Sequence, residues 1–95
     1  MPAYVIVEVE VLDTEAFDRY RALVPPTVAA YGGRYLARGG RAVVLEGDPP
    51  PRRMVLLEFP SVERAPEWCE SEEYAPAKAL RETAARVRMI CVEGV

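Results

Sequence analysis

Histidine does not occur in this sequence of 95 residues, and cysteine occurs only twice, as Cys69 and Cys91. Without an imidazole, the chain lacks a common zinc ligand and the usual base that activates a serine nucleophile. The two cysteines do not form the CxxC spacing of a metal or redox motif. We therefore expect no metal and no cofactor, and we interpret each cysteine as a small buried apolar residue, with a disulfide as the alternative.

Positive charge is not in excess either, because 12 Lys and Arg residues are outnumbered by 15 Asp and Glu residues, for a net charge of -3. Proteins that bind nucleic acid usually carry a basic surface, so we expect no nucleic-acid partner. No apolar stretch approaches the roughly 20 residues of a membrane-spanning helix, and the first residues lead into a strand pattern rather than a signal peptide. We expect a cytoplasmic protein that does not contact a membrane.

The remaining composition is that of a folded protein. Apolar residues make up 51% and charged residues 28% of the chain, a balance typical of globular rather than disordered proteins. A chain of this length has room for one hydrophobic core. We therefore predict a single domain over residues 1–95.

A strand-like alternation runs from Ala3 to Leu12. One face of this predicted strand carries valine at every second position: Val5, Val7, Val9 and Val11. The other face begins apolar and becomes acidic: Tyr4, Ile6, Glu8 and Glu10. This mixed face favours contact with a partner or a cavity over contact with bulk solvent alone.

A helix is predicted next, capped by Asp13 or Thr14 and ended by Gly32. Its apolar residues recur at spacings of three or four: Phe17, Tyr20, Val24, Val28 and Tyr31. Pro25 and Pro26 fall inside this pattern, and each removes a backbone donor. We expect a kink or a break at the prolines.

Two further strand patterns form a predicted hairpin. The first begins as Arg34–Arg38, is interrupted by a glycine pair that indicates a bulge or bend, and resumes as Ala42–Glu46. The second follows a turn rich in proline and runs from Arg53 to Phe59.

Two helical stretches, capped by Ser61 and Ser71, and a last strand at Arg88–Glu93 complete the chain. The second stretch has an apolar stripe: Ala77, Leu80, Ala84 and Val87. The order β-α-β-β-α-β predicts an α+β fold, a ferredoxin-like sandwich with an antiparallel sheet and its helices on one face. We expect a second copy of the chain to bury the other sheet face, because monomers seldom expose large apolar patches.

The segment Gly32–Gly40 resembles the bacterial family called domain of unknown function 1330, a branch of the dimeric α/β-barrel superfamily. The similarity continues in the order and spacing of Leu45–Gly47, Glu58–Ser61, Ala65, Trp68, Ser71, Glu73–Tyr74 and Arg81. The family usually has an aromatic residue after its tryptophan, where this chain has Cys69. The resemblance implies a homodimer whose two sheets face each other as a barrel, in a family without an established reaction.

Five side chains are candidates for a ligand site. Arg38 and Glu58 lie on predicted strands, where a charged group needs solvent, a partner or a ligand. Each belongs either to a salt bridge, within the sheet or between subunits, or to a pocket in which the arginine binds a small carboxylate. Tyr20, Trp68 and Tyr74 are aromatic residues with a polar atom, which either line such a pocket or pack in the core.

Three functions are open at this point, and no motif of nucleophile and base predicts a catalytic residue. The first is a homodimer that binds a small carboxylate or aromatic molecule in a cleft beside the sheet. The second is a cofactor-independent enzyme of the monooxygenase or isomerase type, by analogy with other members of the superfamily. The third is an interaction module without a pocket.

Overall fold

A four-stranded antiparallel sheet forms the frame of the protein. The computed structural model describes all residues from 1 to 95. Its elements are β1 (Ala3–Val11), α1 (Thr14–Ala30), β2 (Arg34–Arg38), β3 (Arg53–Phe59), α2 (Arg64–Cys69), α3 (Ala75–Ala84) and β4 (Ala85–Glu93). The strands lie in the order β2-β3-β1-β4, and every neighbouring pair is antiparallel. The helices pack on one side of the sheet, which confirms the predicted ferredoxin-like α+β fold.

Strand β1 lies in the interior of the sheet and has two different faces. Val5, Val7 and Val9 are at most 5% exposed and pack against the helices. Burial of each valine contributes about 1.5–3 kcal/mol. The even-numbered residues on the other side stay partly exposed, as does Val11 at the end of the strand, against the prediction. We call the helix-packed side the covered face and the other side the open face.

Helix α1 begins where the sequence predicts. The side chain of Asp13 accepts a hydrogen bond from the backbone N–H of Ala16 at 3.1 Å, and Gly32 after the helix has a φ of +77°, which favours glycine. Pro25 and Pro26 lie inside one continuous helix, so of the two expected outcomes, a kink or a break, the break does not occur. No helix of the protein is both long and apolar enough to cross a membrane.

The connection between β2 and β3 differs from the prediction. Strand β2 ends at Arg38, and residues 42–46 form no strand. A strand needs a neighbour to accept and donate its backbone hydrogen bonds, and the chain that would return beside it is the proline-rich stretch before Arg53, which lacks donors. Val43 and Leu45 are consequently 64% and 95% exposed.

The two serines predicted as caps lie in the turns that precede α2 and α3, whose N-cap residues are Glu63 and Tyr74. The Ser61 and Ser71 hydroxyls accept hydrogen bonds from the backbone N–H groups of Arg64 and Tyr74, at 3.3 and 3.1 Å. Helix α3 ends at Ala84 and β4 begins at the next residue. Val87, predicted on the helical stripe, therefore lies in β4, because the backbone is already extended at residue 85.

Candidate functional site

A small apolar cavity lies between α1 and the covered face of the sheet. Its volume is about 40 Å³. By comparison, one water needs roughly 10–15 Å³, and a cavity that holds benzene has about 150 Å³. Its lining residues are Val7, Val9, Phe17, Tyr20, Arg21, Val24, Tyr35, Arg38, Arg53, Val55, Leu57, Trp68, Val87 and Met89. The cavity therefore has room for a ligand of few atoms unless side chains move.

The structure brings together some of the predicted site residues and separates one. Tyr20, Arg38 and Trp68 all line the cavity. Tyr74 lies behind Tyr20 and is fully buried. Glu58 pairs with Tyr4 of β1 in the register of the sheet and so lies on the open face, away from the cavity.

A β-bulge in β2 turns Arg38 toward the covered face. Between Tyr35 and Ala37 the pairing with β3 shifts by one residue, so Leu36 has no partner there. Alternation without the bulge would place Arg38 on the side opposite Tyr35. With the bulge, Arg38 pairs with Val55, and both line the cavity. The bulge or bend predicted at Gly39–Gly40 is therefore found earlier in the strand, at Leu36.

A proline of α1 provides the acceptor that holds Arg38. Pro25 has no N–H, so the carbonyl of Arg21, four residues earlier, has no helical partner at that position. Nη2 of Arg38 donates a hydrogen bond to this carbonyl oxygen at 2.7 Å. The Arg38 guanidinium also lies over the ring of Tyr35, 4.8 Å from its centroid. The proline that was expected to break the helix therefore fixes an arginine at the mouth of the cavity.

Two further arginines at this mouth were not predicted. Arg53 opens β3 and pairs with Val9 on the covered face, with its guanidinium 5.4 Å from the centroid of the Phe17 ring. A Cβ added to Gly39, which has a φ of +69°, would lie 2.5 Å from the Arg53 guanidinium carbon. Gly39 therefore leaves the space that this side chain occupies. Burial lowers the pKa of Arg53, and the neighbouring arginines lower it further.

The sequence contains a pattern that could have identified Arg21 and Arg53 as residues of the covered face. Arg53 is two residues before Val55 and four before Leu57, and alternate residues of a strand share a face. Arg21 is four residues after Phe17 and three before Val24, within the apolar stripe of α1. Charged residues in apolar registers were the signal that the sequence reasoning missed.

Tyr20, Tyr74 and Trp68 make hydrogen bonds with their own polar atoms. The hydroxyls of Tyr20 and Tyr74 are 2.8 Å apart and share a hydrogen bond. Burial raises the pKa of both phenols, so both stay protonated at neutral pH. The indole N–H of Trp68 donates to the Thr27 hydroxyl at 3.0 Å, which in turn donates to the Val24 carbonyl at 2.6 Å. In this wall the Trp68 N–H and one of the two phenol hydroxyls donate hydrogen bonds within the protein.

On the open face, several charges are paired within the chain. Nε of Arg34 donates to Oε1 of Glu58 at 2.6 Å. Oε1 of Glu10 lies 3.5 Å from Arg52 and 3.6 Å from Arg86. Between these pairs lies an apolar centre on three adjacent strands: Tyr4, Ile6, Leu56, Ile90 and Val92.

Metal binding and thiol reactivity both depend on how the possible metal ligands and the two cysteines are arranged. No group of three or more His, Cys, Asp or Glu residues is arranged to hold a metal ion. Cys69 and Cys91 are free thiols, both partly buried. Burial raises the pKa of the Cys91 thiol, which disfavours its reactive thiolate form.

Solved structures with the same fold come from several bacteria. A protein of unknown function from Rhodopseudomonas palustris has a TM-score of 0.79 and 21% identity, over 99% of this chain and 82% of that one. A dimeric ferredoxin-like protein of unknown function from Jannaschia has a TM-score of 0.70 and 14% identity, over 99% and 100%. A cofactor-independent oxygenase from Streptomyces nogalater has a TM-score of 0.59 and 9% identity, over 99% and 93%. Identities this low establish the fold alone.

Sequence comparison identifies the family. No curated protein matches the chain in sequence. Residues 2–95 match the family described as Domain of unknown function (DUF1330). Since this match extends over nearly the whole chain, the protein belongs to the DUF1330 family, as the resemblance predicted.

Proposed function

We propose that this protein is a homodimer that binds a small molecule in the cavity between α1 and the sheet. The observation that carries the proposal is the lining of the cavity, which combines an apolar wall containing Tyr20 and Trp68 with a positively charged mouth at Arg38. Small-molecule sites commonly combine an apolar lining with a few polar groups that fix the orientation of the ligand.

The open face of the sheet supports the homodimer. Ile6 is the direct neighbour of Leu56 on one side and of Ile90 on the other. Ile90 is 40% exposed and Val92 is 48% exposed. A second copy on this face would remove these apolar side chains from water, and the similar protein from Jannaschia is described as dimeric.

A thermal-shift screen with small carboxylates, neutral molecules and aromatics tests the binding proposal. A ligand at about 100 times its Kd is expected to add about 2.7 kcal/mol to the free energy of unfolding, which raises the Tm by several degrees in a protein of this size. Val55→Leu, which fills part of the cavity, should abolish the shift. Val44→Leu makes the same change in the exposed connection and should retain it. If no compound shifts the wild type, the proposal fails and the interaction module is favoured.

A second candidate is a cofactor-independent oxygenase, which the fold shared with the Streptomyces nogalater enzyme favours. The volume of the cavity weighs against it, since about 40 Å³ is far below the space that one aromatic ring needs. Oxygen uptake with quinol substrates is the test. Uptake that requires the protein and is lost in Val55→Leu would favour the enzyme over simple binding.

A further inference from the structure

Three guanidinium groups meet at the mouth of the cavity, from three different elements. Arg21 lies on α1, Arg38 ends β2 and Arg53 begins β3. The only carboxylate in ion-pair contact with any of them belongs to Asp18, whose Oδ1 is 3.8 Å from Nη1 of Arg21 and whose side chain is 61% exposed. The pKa of Arg53 is lowered first by burial and then by the charges of the other two arginines. The chain itself therefore leaves this positive charge largely uncompensated.

Two of these arginines also have free hydrogen-bond donors. The Nε atoms of Arg21 and Arg53 are buried, and neither has a hydrogen-bond partner. A buried donor without an acceptor is costly, and most buried polar groups in native proteins are paired. In a guanidinium, Nε–H and one Nη–H point in the same direction and match the two oxygens of a carboxylate. Arg38 already uses Nη2 on the Arg21 carbonyl, whereas Arg21 and Arg53 each retain an unpaired Nε–H.

The wall behind the guanidiniums restricts the class of anion. It is formed by apolar side chains such as Val9, Val24 and Val87. A phosphate would turn at least one oxygen toward this wall without a donor, which is unfavourable. A carboxylate has oxygens on one side and hydrocarbon on the other, which matches the arrangement of arginines and valines. The volume of about 40 Å³ leaves room for a short aliphatic chain but not for a ring.

We propose that the cavity binds a short aliphatic carboxylate, whose oxygens accept hydrogen bonds from Arg21 and Arg53 and whose hydrocarbon chain enters the apolar cavity. This inference rests on the proposed function and names the ligand class for the same site. Arg38 adds positive charge, and Gly39 keeps open the place of the Arg53 side chain.

Titration with sodium propionate, followed by the side-chain Nε–H signals of Arg21 and Arg53 in ¹⁵N NMR spectra, tests this inference at constant ionic strength. The neutral probe is propionamide, which has nearly the same shape, and the inorganic probe is phosphate. Propionate should shift both Nε–H signals to a saturating value, while propionamide and phosphate should leave them in place.

Variants locate the site. Arg21→Met and Arg53→Lys should each weaken propionate binding at least about tenfold, because each removes one Nε–H fork. Arg21 is partly exposed, so its replacement should not prevent folding. Arg34→Met on the open face is the matched control and should retain wild-type affinity.

The outcomes separate this inference from the proposed function. Equal binding of propionamide would overturn the carboxylate while keeping a ligand cavity. Tighter binding of phosphate would replace it with an inorganic anion. If neither propionate nor any compound of the thermal-shift screen binds, both proposals fail.

Discussion

The two faces of the sheet carry arginines in opposite electrostatic surroundings. On the open face, Arg34 is paired with Glu58 at 2.6 Å, and Arg86 lies 3.6 Å from Glu10. On the covered face, only one of the three arginines at the cavity has a carboxylate partner: Arg21, whose Nη1 lies 3.8 Å from Oδ1 of the exposed Asp18. A face that pairs several of its charges around an apolar centre is suited to a second copy of the chain. A cavity mouth where two of three arginines have no carboxylate partner is suited to an anion.

This difference depends on one local irregularity. Without the bulge at Leu36, the even-numbered residues of β2 would share one face, and Arg38 would lie with Arg34 on the open face. With the bulge, the two arginines of one five-residue strand lie on opposite faces. The position of one unpaired residue therefore decides how many cations the cavity mouth receives.

The largest expected effect is on the open face. Ile90→Glu should convert the proposed dimer to monomers at micromolar concentration, because an unpaired buried charge costs about 3–5 kcal/mol and each dimer would contain two. Leu23→Glu is the control, since Leu23 is 46% exposed on α1. Sedimentation velocity distinguishes the two. A dimer that persists in Ile90→Glu would show that the open face is not the interface.

Leu57 and Leu56 are neighbours on opposite faces of the sheet, so replacing each in turn compares how the two faces contribute to stability. Leu57 is 2% exposed on the covered face, and Leu57→Ala should lower the free energy of unfolding by about 2–5 kcal/mol at any protein concentration. Leu56→Ala on the open face should cost less, and its cost should grow with protein concentration, because the proposed dimer would bury this residue. Urea denaturation at two protein concentrations measures both. If both variants lose the same unfolding free energy at every protein concentration, the open face is not a dimer interface.

Alkaline pH should lower the free energy of unfolding, because two tyrosines on the covered side of the sheet are buried. The pKa values of Tyr20 and Tyr74 are raised by burial, so above about pH 10 the unfolded chain loses protons that the folded protein keeps. The free energy of unfolding should therefore fall as pH rises, by up to about 1.4 kcal/mol per pH unit for each tyrosine. Tyr20→Phe should make this slope shallower. An unchanged slope in that variant would show that Tyr20 ionises freely in the folded protein.

The smallest expected effect concerns the exposed ion pair. Glu58→Gln should change the free energy of unfolding by about 0–1 kcal/mol, because the Arg34 side chain is 71% exposed and solvent screens the pair. It should leave ligand binding unchanged, since Glu58 lies across the sheet from the cavity. Thermal unfolding with and without propionate tests both statements. Lost binding in Glu58→Gln would mean that the two faces are coupled.

The order of elements was predictable from the sequence because its signals are local. The valine alternation of β1 and the cap at Asp13 depend on residues a few positions apart. The strand expected at 42–46 failed because a strand also needs a partner, which local propensity does not reveal.

The site was only partly predictable. Arg38 and Glu58 are both charged residues on strands, and only the register of the sheet separates them. Arg21 and Arg53 come from elements far apart in sequence, and their buried, unpaired Nε atoms are a property of the assembled fold. A sequence can indicate a charge in an apolar register, but it cannot show that three such charges meet.

A crystal structure of the protein grown with propionate would show directly whether the cavity binds a carboxylate. We predict one propionate at the mouth of the cavity, with its oxygens at about 2.7–2.9 Å from the Nε atoms of Arg21 and Arg53 and its methyl group among the apolar side chains beneath α1. Arginines that bond instead to protein groups or water, with propionate absent from the cavity, would contradict it.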